Sequence, residues 1–349
     1  MIKDGRSTLK SSLSIGSAIG EYIVQEALTN SPIGDYCFGF HYSTNAPVMI
    51  CQLSSLLHQD QLLFQQFQND LKRLQIIKHP SIAELEKSFE FENNFFYVLK
   101  LPENGKTIFE VLKSGEVLEE NTAVSVVLSI AETLNDVWQI FGLVHSSLRP
   151  ENIFVTPDNN VLILNFGLEE SINKSTRSTV DSAENLGRTL EINRYKAHDK
   201  VKNTIKSDIY SLGICFYEML TCGEPFEFDD KEIVSHLIHD DVDKNNLLED
   251  SGISSPSIAL ISKMIAIDPE RRPSKWHFII EELAKIANPG KFKTTTIRKS
   301  MKSKLANEEI IIESEPKKGS LLMLILVVFV MVMISLLISV YLANSFFID

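Results

Sequence analysis

The residues of this sequence that could take part in catalysis lie in two short stretches, His145-Ser146-Ser147 and Asn165-Phe166-Gly167. A serine hydroxyl is a useful base or nucleophile only when another group activates it, and the sequence shows no such group for Ser147. An asparagine amide can ligate Mg²⁺, but without the charge of a carboxylate it holds this hard cation poorly. The two stretches therefore indicate weak metal binding and no strong acid–base catalysis.

Redox and transition-metal chemistry have little support in the sequence. The four cysteines form no Cys-x-x-Cys pair and no cluster with histidine, so reduced and mostly buried thiols in a cytosolic compartment are expected. His236 and His239 have helical spacing, but nothing nearby completes a metal site. We therefore predict no bound metal.

Charge is distributed unevenly along the chain. The formal net charge is -12, with 26 basic and 41 acidic residues before residue 289 and a small positive excess after it. An acidic body lacks the cations that displace counterions from a nucleic acid, so nucleic-acid binding is not expected. From Ser11 to Leu71 there is no Lys or Arg, whereas five acidic residues occur there.

The elements that must position these groups are strands first and helices later. Apolar runs between turn residues predict strands at 22–24, 36–40, 48–51, 88–91 and 95–101, with a hairpin turn at Asn45-Ala46-Pro47. Apolar residues at three- and four-residue spacing predict a helix over 60–76. Beyond residue 105, helices are predicted at 121–141, 207–221, 256–266 and 275–287.

The end of the chain contains a long apolar run, Leu321–Ala343, which is uncharged for 23 residues. Such a run is long enough to cross a hydrocarbon layer of roughly 30 Å as a helix; a fully buried helix of a soluble protein is the alternative. Lys317 and Lys318 precede it and six residues follow, which favours a single-pass anchor with the large domain in the cytoplasm. Ser335 and Ser339 have the spacing of a small-residue contact face for a helix–helix dimer.

A charged segment at 289–319 separates this run from the rest of the chain. It begins with six cations and continues with four glutamates. A solvated tether accounts for this composition, and binding of the basic part to anionic lipid is the alternative.

The stretch Leu143–Val155, LVHSSLRPENIFV, resembles the catalytic loop of protein kinases. Four further segments resemble kinase motifs in the same order, namely the turn His79-Pro80-Ser81-Ile82, the DFG-like Asn165-Phe166-Gly167, the helix F region at 207–226 and the closing motif at 268–274. The resemblance implies an α+β, two-lobed kinase fold over about 21–288, with a small β-rich N-lobe and a larger helical C-lobe. The helix F region is similar to that of bacterial-type Ser/Thr kinases.

The N-lobe departs from the family pattern where kinases hold phosphate. The glycine-rich loop aligns with 29–34, in which Thr29 and Ser31 replace glycines and only Gly34 is retained. Cys51 stands where kinases have the lysine that neutralises phosphates, and Asp70 stands where its glutamate partner lies. Side chains in the loop should block close approach of a phosphate to the backbone.

The C-lobe departs from the pattern at both acidic positions. Ser147 replaces the aspartate that accepts the substrate proton, and Asn165 replaces the metal-binding aspartate of DFG. Two positions are retained or nearly so, since Asn152 occupies the second metal position and Arg149 replaces a lysine that approaches the transferred phosphate. The resemblance therefore implies that no catalytic set is intact and that ATP and Mg²⁺ bind weakly or not at all.

Six other positions match residues that pack the helical lobe of kinases and fix their catalytic loop: Leu74, His145, Phe166, Asp199, Asp208 and Arg272. Among them, Asp199 is expected to pair with Arg272. The segment from 165 to 199 contains several Ser and Thr residues, which are either a polar loop or targets of a partner kinase.

These observations predict five segments: a loose leader at 1–20, a pseudokinase domain at 21–288, a linker at 289–319, a transmembrane helix at 320–343 and a tail at 344–349. We expect a membrane-tethered, inactive domain that serves as a scaffold or allosteric partner of an active kinase, with a bacterial inner membrane favoured over a eukaryotic tail anchor. Two alternatives remain open. One is a residual or unconventional ATP-dependent kinase, and the other is a passive substrate of a neighbouring kinase.

Overall fold

A computed structural model of the chain describes residues 13–31, 33–168, 195–197, 204–222 and 252–288. All of them belong to one compact unit, Met1–Phe292, and Lys293–Asp349 forms a second unit that lies outside the described residues.

The first half of the described chain is built on one antiparallel sheet. Its six strands are β1 (Ala18–Ile19), β2 (Tyr22–Asn30), β3 (Gly34–His41), β4 (Pro47–Leu53), β5 (Leu85–Phe91) and β6 (Asn94–Lys100). They are arranged in the order β1-β2-β3-β4-β6-β5. Strand β4 is therefore central, and Val48 to Cys51 are all buried there, as expected of a strand covered on both faces.

Two helices follow β4, namely α1 (Ser55–Gln59) and α2 (Gln61–Ile76). Helix α2 is capped at its N-terminus by Asp60, whose carboxylate accepts hydrogen bonds from the backbone N–H groups of Leu62 and Leu63 at 3.0 Å. Its buried face packs against the sheet, where the Phe67 ring contacts the rings of Phe95 and Tyr97.

The second half is mostly helical. It contains α3 (Ile108–Lys113), α4 (Glu120–Phe141), α5 (Ile205–Thr221), α6 (Ser255–Met264) and α7 (Trp276–Ala287). A small sheet lies beside them, in the order β7 (Lys106–Thr107), β8 (Ile153–Val155) and β9 (Val161–Ile163). Helix α5 is buried along most of its length, which explains its apolar sequence.

The two halves share one hydrophobic core that extends from β3, β4 and β6 into α4, α5 and α7. They are also joined by backbone. The N–H of Ala83 donates to the carbonyl of Ile163 at 2.9 Å, and the N–H of Ile163 donates to the carbonyl of Ser81 at 2.8 Å. The predicted turn at 79–82 thus fixes the end of α2 against β9.

The predicted two-lobed α+β architecture is confirmed, and the predicted helices agree with the observed ones to within two residues at each end. The strands agree less closely, since the one predicted at 22–24 extends to Asn30. The end of the predicted leader at 1–20 belongs to the sheet, because Ile19 in β1 is buried. No helix within the described ranges is both long and apolar enough to cross a bilayer. The predicted span at 320–343, the linker, Asp199 and His236 with His239 lie outside the described residues.

Candidate functional site

The cleft between the halves is bordered by three side chains from neighbouring strands. Tyr36 of β3 stands opposite Cys51 of β4, and Cys51 stands opposite Tyr97 of β6. Residues opposite one another in adjacent strands project from the same face, and all three are buried. The position that carries a lysine in kinases is therefore inside a buried row of two phenols and a thiol.

The surroundings of Cys51 do not favour charge. Burial raises the pKa of its thiol well above the usual range, and the carboxylate of Asp35 acts in the same direction, while a hydrogen bond with Tyr97 and the charge of Arg149 oppose it. The thiol thus remains neutral and supplies no charge to the cleft.

Asp70 does not face Cys51 as one half of an ion pair. Its buried carboxylate pairs with the guanidinium of Arg73, one turn further along α2. The acidic partner that kinases direct across the N-lobe is therefore neutralised within its own helix. This pairing engages the Asp70 carboxylate with a cation other than one at position 51.

The turn that aligns with the glycine-rich loop is closed by its own serine. Ser31 is buried, and its hydroxyl oxygen accepts hydrogen bonds from the backbone N–H groups of Ile33 and Gly34 at 3.1 and 3.3 Å. A backbone N–H that already has a partner is a poor donor to phosphate. Gly34 has a packing role here, because a Cβ at this position would lie 1.9 Å from the carbonyl oxygen of Gln52. Thr29 contributes backbone to β2, opposite Tyr36.

The catalytic-loop segment is fixed to helix α5 by one carboxylate. Asp208 accepts hydrogen bonds from the N–H groups of His145 and Ser146 at 2.7 and 2.9 Å. Burial raises the pKa of Asp208 to about 7, and the two amide donors act in the opposite direction.

Both ring nitrogens of His145 are occupied by backbone groups. Its Nδ1 accepts the N–H of Ser147 at 3.2 Å, and its Nε2 lies 3.0 Å from the carbonyl oxygen of Leu164. A carbonyl only accepts, which places the proton on Nε2 and leaves the ring neutral. The ring is fully buried, so it is not available to activate Ser147.

Asn165 and Asn152 are bonded to one another. The Nδ2 of Asn165 donates to the Oδ1 of Asn152 at 2.9 Å, and the Nδ2 of Asn152 donates to the carbonyl oxygen of Ser147 at 2.8 Å. The Oδ1 of Asn165 in turn accepts the hydroxyl of Tyr97 at 2.9 Å. Burial raises the pKa of Tyr97 well above its usual value, so the phenol keeps its proton and donates it. Asn165 has φ 56°, a left-handed conformation that asparagine adopts more readily than most residues.

These donors are a poor fit for Mg²⁺. The family implies a metal held by a carboxylate at position 165 and an amide at position 152, but here both are neutral amides that bond to each other. Within the described ranges, no group of three or more His, Cys, Asp or Glu residues could hold a metal ion.

Arg149 is the cation that the structure places near the cleft. Its side chain is buried, its Nε lies 3.9 Å from a carboxylate oxygen of Glu151, and its charge reaches Cys51. The negative charge of Glu151 offsets part of the charge that Arg149 would offer to a phosphate.

Of the six residues predicted to pack the domain, the five that the structure describes are buried: Leu74, His145, Phe166, Asp208 and Arg272. The rings of His145 and Phe166 contact each other at 5.2 Å, and Leu74 and Phe166 line a cavity of about 10 Å³ between α2 and the catalytic-loop segment. Arg272 donates to the carbonyl oxygens of Ala266, Ile267 and Lys206. Its predicted partner, Asp199, lies outside the described residues.

Three features of the site could not be seen in the sequence motifs: Tyr97 as the partner of Asn165, Arg73 as the partner of Asp70, and Ser31 as an acceptor for its own turn. Spacing could have indicated only the second, because residues three apart on a helix are neighbours.

Comparison with known proteins supports the interpretation that this fold is that of a protein kinase. The family described as protein kinase domain matches residues 38–285, which is more than half of the chain and begins after the turn at 29–34. Curated relatives include the Arabidopsis thaliana serine/threonine-protein kinase AtPK2/AtPK19, 29% identical over 60% of this chain and 42% of that protein. Another is PknB of Mycobacterium leprae, 26% identical over 64% of this chain and 36% of that protein. The chain thus spans less than half the length of these relatives.

Solved structures agree at the level of the fold. A double mutant of the PknI kinase domain of Mycobacterium tuberculosis superposes with a TM-score of 0.55 at 18% identity, covering 79% of this chain and all of that one.

A first prediction concerns the lysine position. Replacement of Cys51 by Lys should lower the free energy of unfolding by about 3–5 kcal/mol, because it introduces a charge into a buried row whose nearest acid on α2 is already paired. Thermal denaturation would measure this as a reduced Tm. The control Cys51→Ala removes only the small thiol and should cost much less. A Cys51→Lys variant as stable as the wild type would contradict this prediction and show that a carboxylate such as Asp35 or Asp70 can pair with the new cation.

A second prediction follows from the buried carboxylate of Asp208. Its pKa is higher in the folded state than in the unfolded chain, so the stability it contributes is full below about pH 4 and is lost as the pH rises towards 7. The Tm difference between wild type and Asp208→Asn should therefore be larger at pH 5 than at pH 8. Asp60→Asn is the control, since that carboxylate also accepts two backbone amides but at the surface. A difference that grows with pH would contradict the assignment.

Proposed function

This chain belongs to the protein kinase family, and we propose that its kinase domain is catalytically inactive and acts by binding, as a membrane-tethered scaffold or allosteric partner of an active kinase. The observation that carries the proposal is the hydrogen bond between Asn165 and Asn152. Both amides stand at the positions where the family holds metal, and each uses the other as a partner.

The N-lobe supports the same proposal. Phosphoryl transfer depends on positioning and on neutralising the charge of the phosphates. Cys51 is buried and neutral, Asp70 pairs with Arg73, and the hydroxyl of Ser31 occupies two loop amides. The contacts that would hold a triphosphate are thus used within the protein.

The amount of transition-state stabilisation that is lost determines whether catalysis would be slow or absent. Removing one group that stabilises transition-state charge costs about 3–4 kcal/mol, or roughly 10²–10³ in rate. This chain has Cys51 in place of the phosphate-binding lysine, Ser147 in place of the proton-accepting carboxylate and Asn165 in place of the metal-binding carboxylate. Even if the three losses are only partly additive, the product is a rate below a useful turnover.

Membrane attachment rests on the sequence. The apolar run Leu321–Ala343 and the two preceding lysines support one transmembrane helix with the kinase domain on the cytoplasmic side. We propose a bacterial inner membrane as its location. Ser335 and Ser339 support helix pairing as a further contact.

A second candidate function is a residual ATP-dependent Ser/Thr kinase. Arg149 favours it, because a buried cation lies within electrostatic reach of position 51 and beside the retained Asn152. The relatives named above are serine/threonine kinases by name. This candidate requires the amide pair to separate and admit a metal.

A third prediction tests nucleotide binding. ATP with Mg²⁺ should not raise the Tm of the full-length chain, because the groups that would hold the phosphates are bonded internally. A ligand at one hundred times its Kd would stabilise the folded state by about 2.7 kcal/mol, which is easily detected. A saturable rise in Tm that requires both ATP and Mg²⁺ would argue against the proposal.

A fourth prediction tests transfer itself. Full-length protein incubated with labelled ATP and either Mg²⁺ or Mn²⁺ should incorporate no label into itself or a general protein substrate. Asn152→Ala and Arg149→Ala are the matched variants. Incorporation by the wild type that disappears in both would establish the second candidate.

A further inference from the structure

We propose that a side-chain latch, formed by Tyr97, Asn165 and Asn152, holds the two lobes of this domain in one fixed arrangement without any ligand. The latch goes beyond the proposed function, because it concerns the conformation of the domain and would stand even if the chain retained some catalysis. In this arrangement a hydrogen bond within the protein connects the two lobes, as a ligand bound between them would.

The N-lobe end of the latch is held rigidly. Tyr97 lies in β6, between β4 and β5, and its side chain is fully buried. Its ring contacts the ring of Phe67 at 5.7 Å, so the central sheet and helix α2 both fix its direction. The hydroxyl of Tyr97 therefore reaches into the cleft from a side chain with little freedom.

The C-lobe end is held by a series of hydrogen bonds. The Oδ1 of Asn165 accepts the Tyr97 hydroxyl, the Nδ2 of Asn165 donates to Asn152, and the Nδ2 of Asn152 donates to the carbonyl of Ser147. The N–H of Leu164 also donates to the carbonyl of Asn152 at 2.9 Å. Asp208 fixes the same segment to α5. The bonds thus continue from the middle of β6 to the largely buried helix α5 of the other lobe.

A second contact crosses the cleft beside the latch. The ring of Phe38 in β3 meets the ring of Phe154 in β8 edge to face, with centroids 6.2 Å apart. Phe38 is opposite Met49 of β4, which is opposite Leu99 of β6. This contact therefore lies two residues along the strands, or about 7 Å, from the row that contains Tyr97. Two contacts at separate points oppose both separation and rotation of the lobes more than one contact would.

Hydrogen exchange of the full-length chain in detergent, without nucleotide, tests the latch. In Tyr97→Phe, amides of residues 143–168 should exchange about fivefold faster, since a buried hydrogen bond of ordinary strength is lost. Tyr22→Phe is the matched control. It also removes a buried tyrosine hydroxyl, but one that donates to Glu86 within the N-lobe sheet. Its exchange over 143–168 should equal that of the wild type.

Two results would overturn the latch. One is equal exchange over 143–168 in Tyr97→Phe and Tyr22→Phe, and the other is an equal increase throughout both lobes, which would indicate general destabilisation. A cycle with Asn165→Ala gives an independent check, because the backbone strain of alanine at this φ occurs in both the single and the double variant and cancels. Additive effects of the two changes would also refute the proposal, whereas a double variant no faster than Asn165→Ala alone supports it.

The same exchange experiment repeated with ATP and Mg²⁺ distinguishes this inference from the proposed function. Protection of the cleft by ATP and Mg²⁺ in the wild type would contradict the inactive assignment and leave the result for Tyr97→Phe unchanged.

Discussion

The position of the C-lobe groups in the cleft depends on one buried carboxylate. Asp208 receives two consecutive backbone amides, from His145 and Ser146, and Ser146 takes a left-handed conformation to make this possible. A buried carboxylate is tolerated only when hydrogen bonds compensate its lost hydration. Because α5 is itself buried, the loop that it holds has a fixed place in the C-lobe. Asn152 and, through it, Asn165 take their positions from that loop.

Because the catalytic-loop segment is fixed in this way, the chemistry of the cleft depends on which side chains there can form hydrogen bonds or ion pairs with one another. Charged residues at 51, 147 and 165 would repel or attract one another strongly in a site with little water, and a ligand would have to balance them. Neutral residues can instead be satisfied by neighbours. The amides of Asn165 and Asn152, the phenol of Tyr97 and the hydroxyl of Ser31 all do this with partners at ordinary hydrogen-bond distances. The fold of a kinase is thus kept while these four side chains form their hydrogen bonds within the protein.

The sequence predicted those parts of the structure that depend on local pattern. The bounds of helices α4 and α5 were predicted to within two residues from their apolar sequence patterns. The order of the motifs assigned residues 51, 147 and 165 to their positions in the kinase pattern. The pairings in the cleft were not predictable. Tyr97 and Asn165 are 68 residues apart, and within an apolar strand nothing distinguishes a tyrosine that crosses a cleft from one that fills a core. Ser31 was expected to obstruct phosphate by its bulk, whereas in the structure its oxygen also bonds the amides that phosphate would need.

The ion pair between Asp70 and Arg73 has a mechanical consequence for helix α2. Since both charges lie on the same helix, a rigid displacement of α2 leaves this ion pair intact. The packing of Phe67, Leu71 and Leu74, which are all buried, resists such a movement. Dispersion contacts lose a quarter to a half of their attraction over a gap of about 0.5–1 Å, whereas a Coulomb attraction declines gradually with distance. The packing of helix α2 therefore resists small displacements strongly, but this resistance decreases sharply once the side chains have moved by about 1 Å from their packing positions.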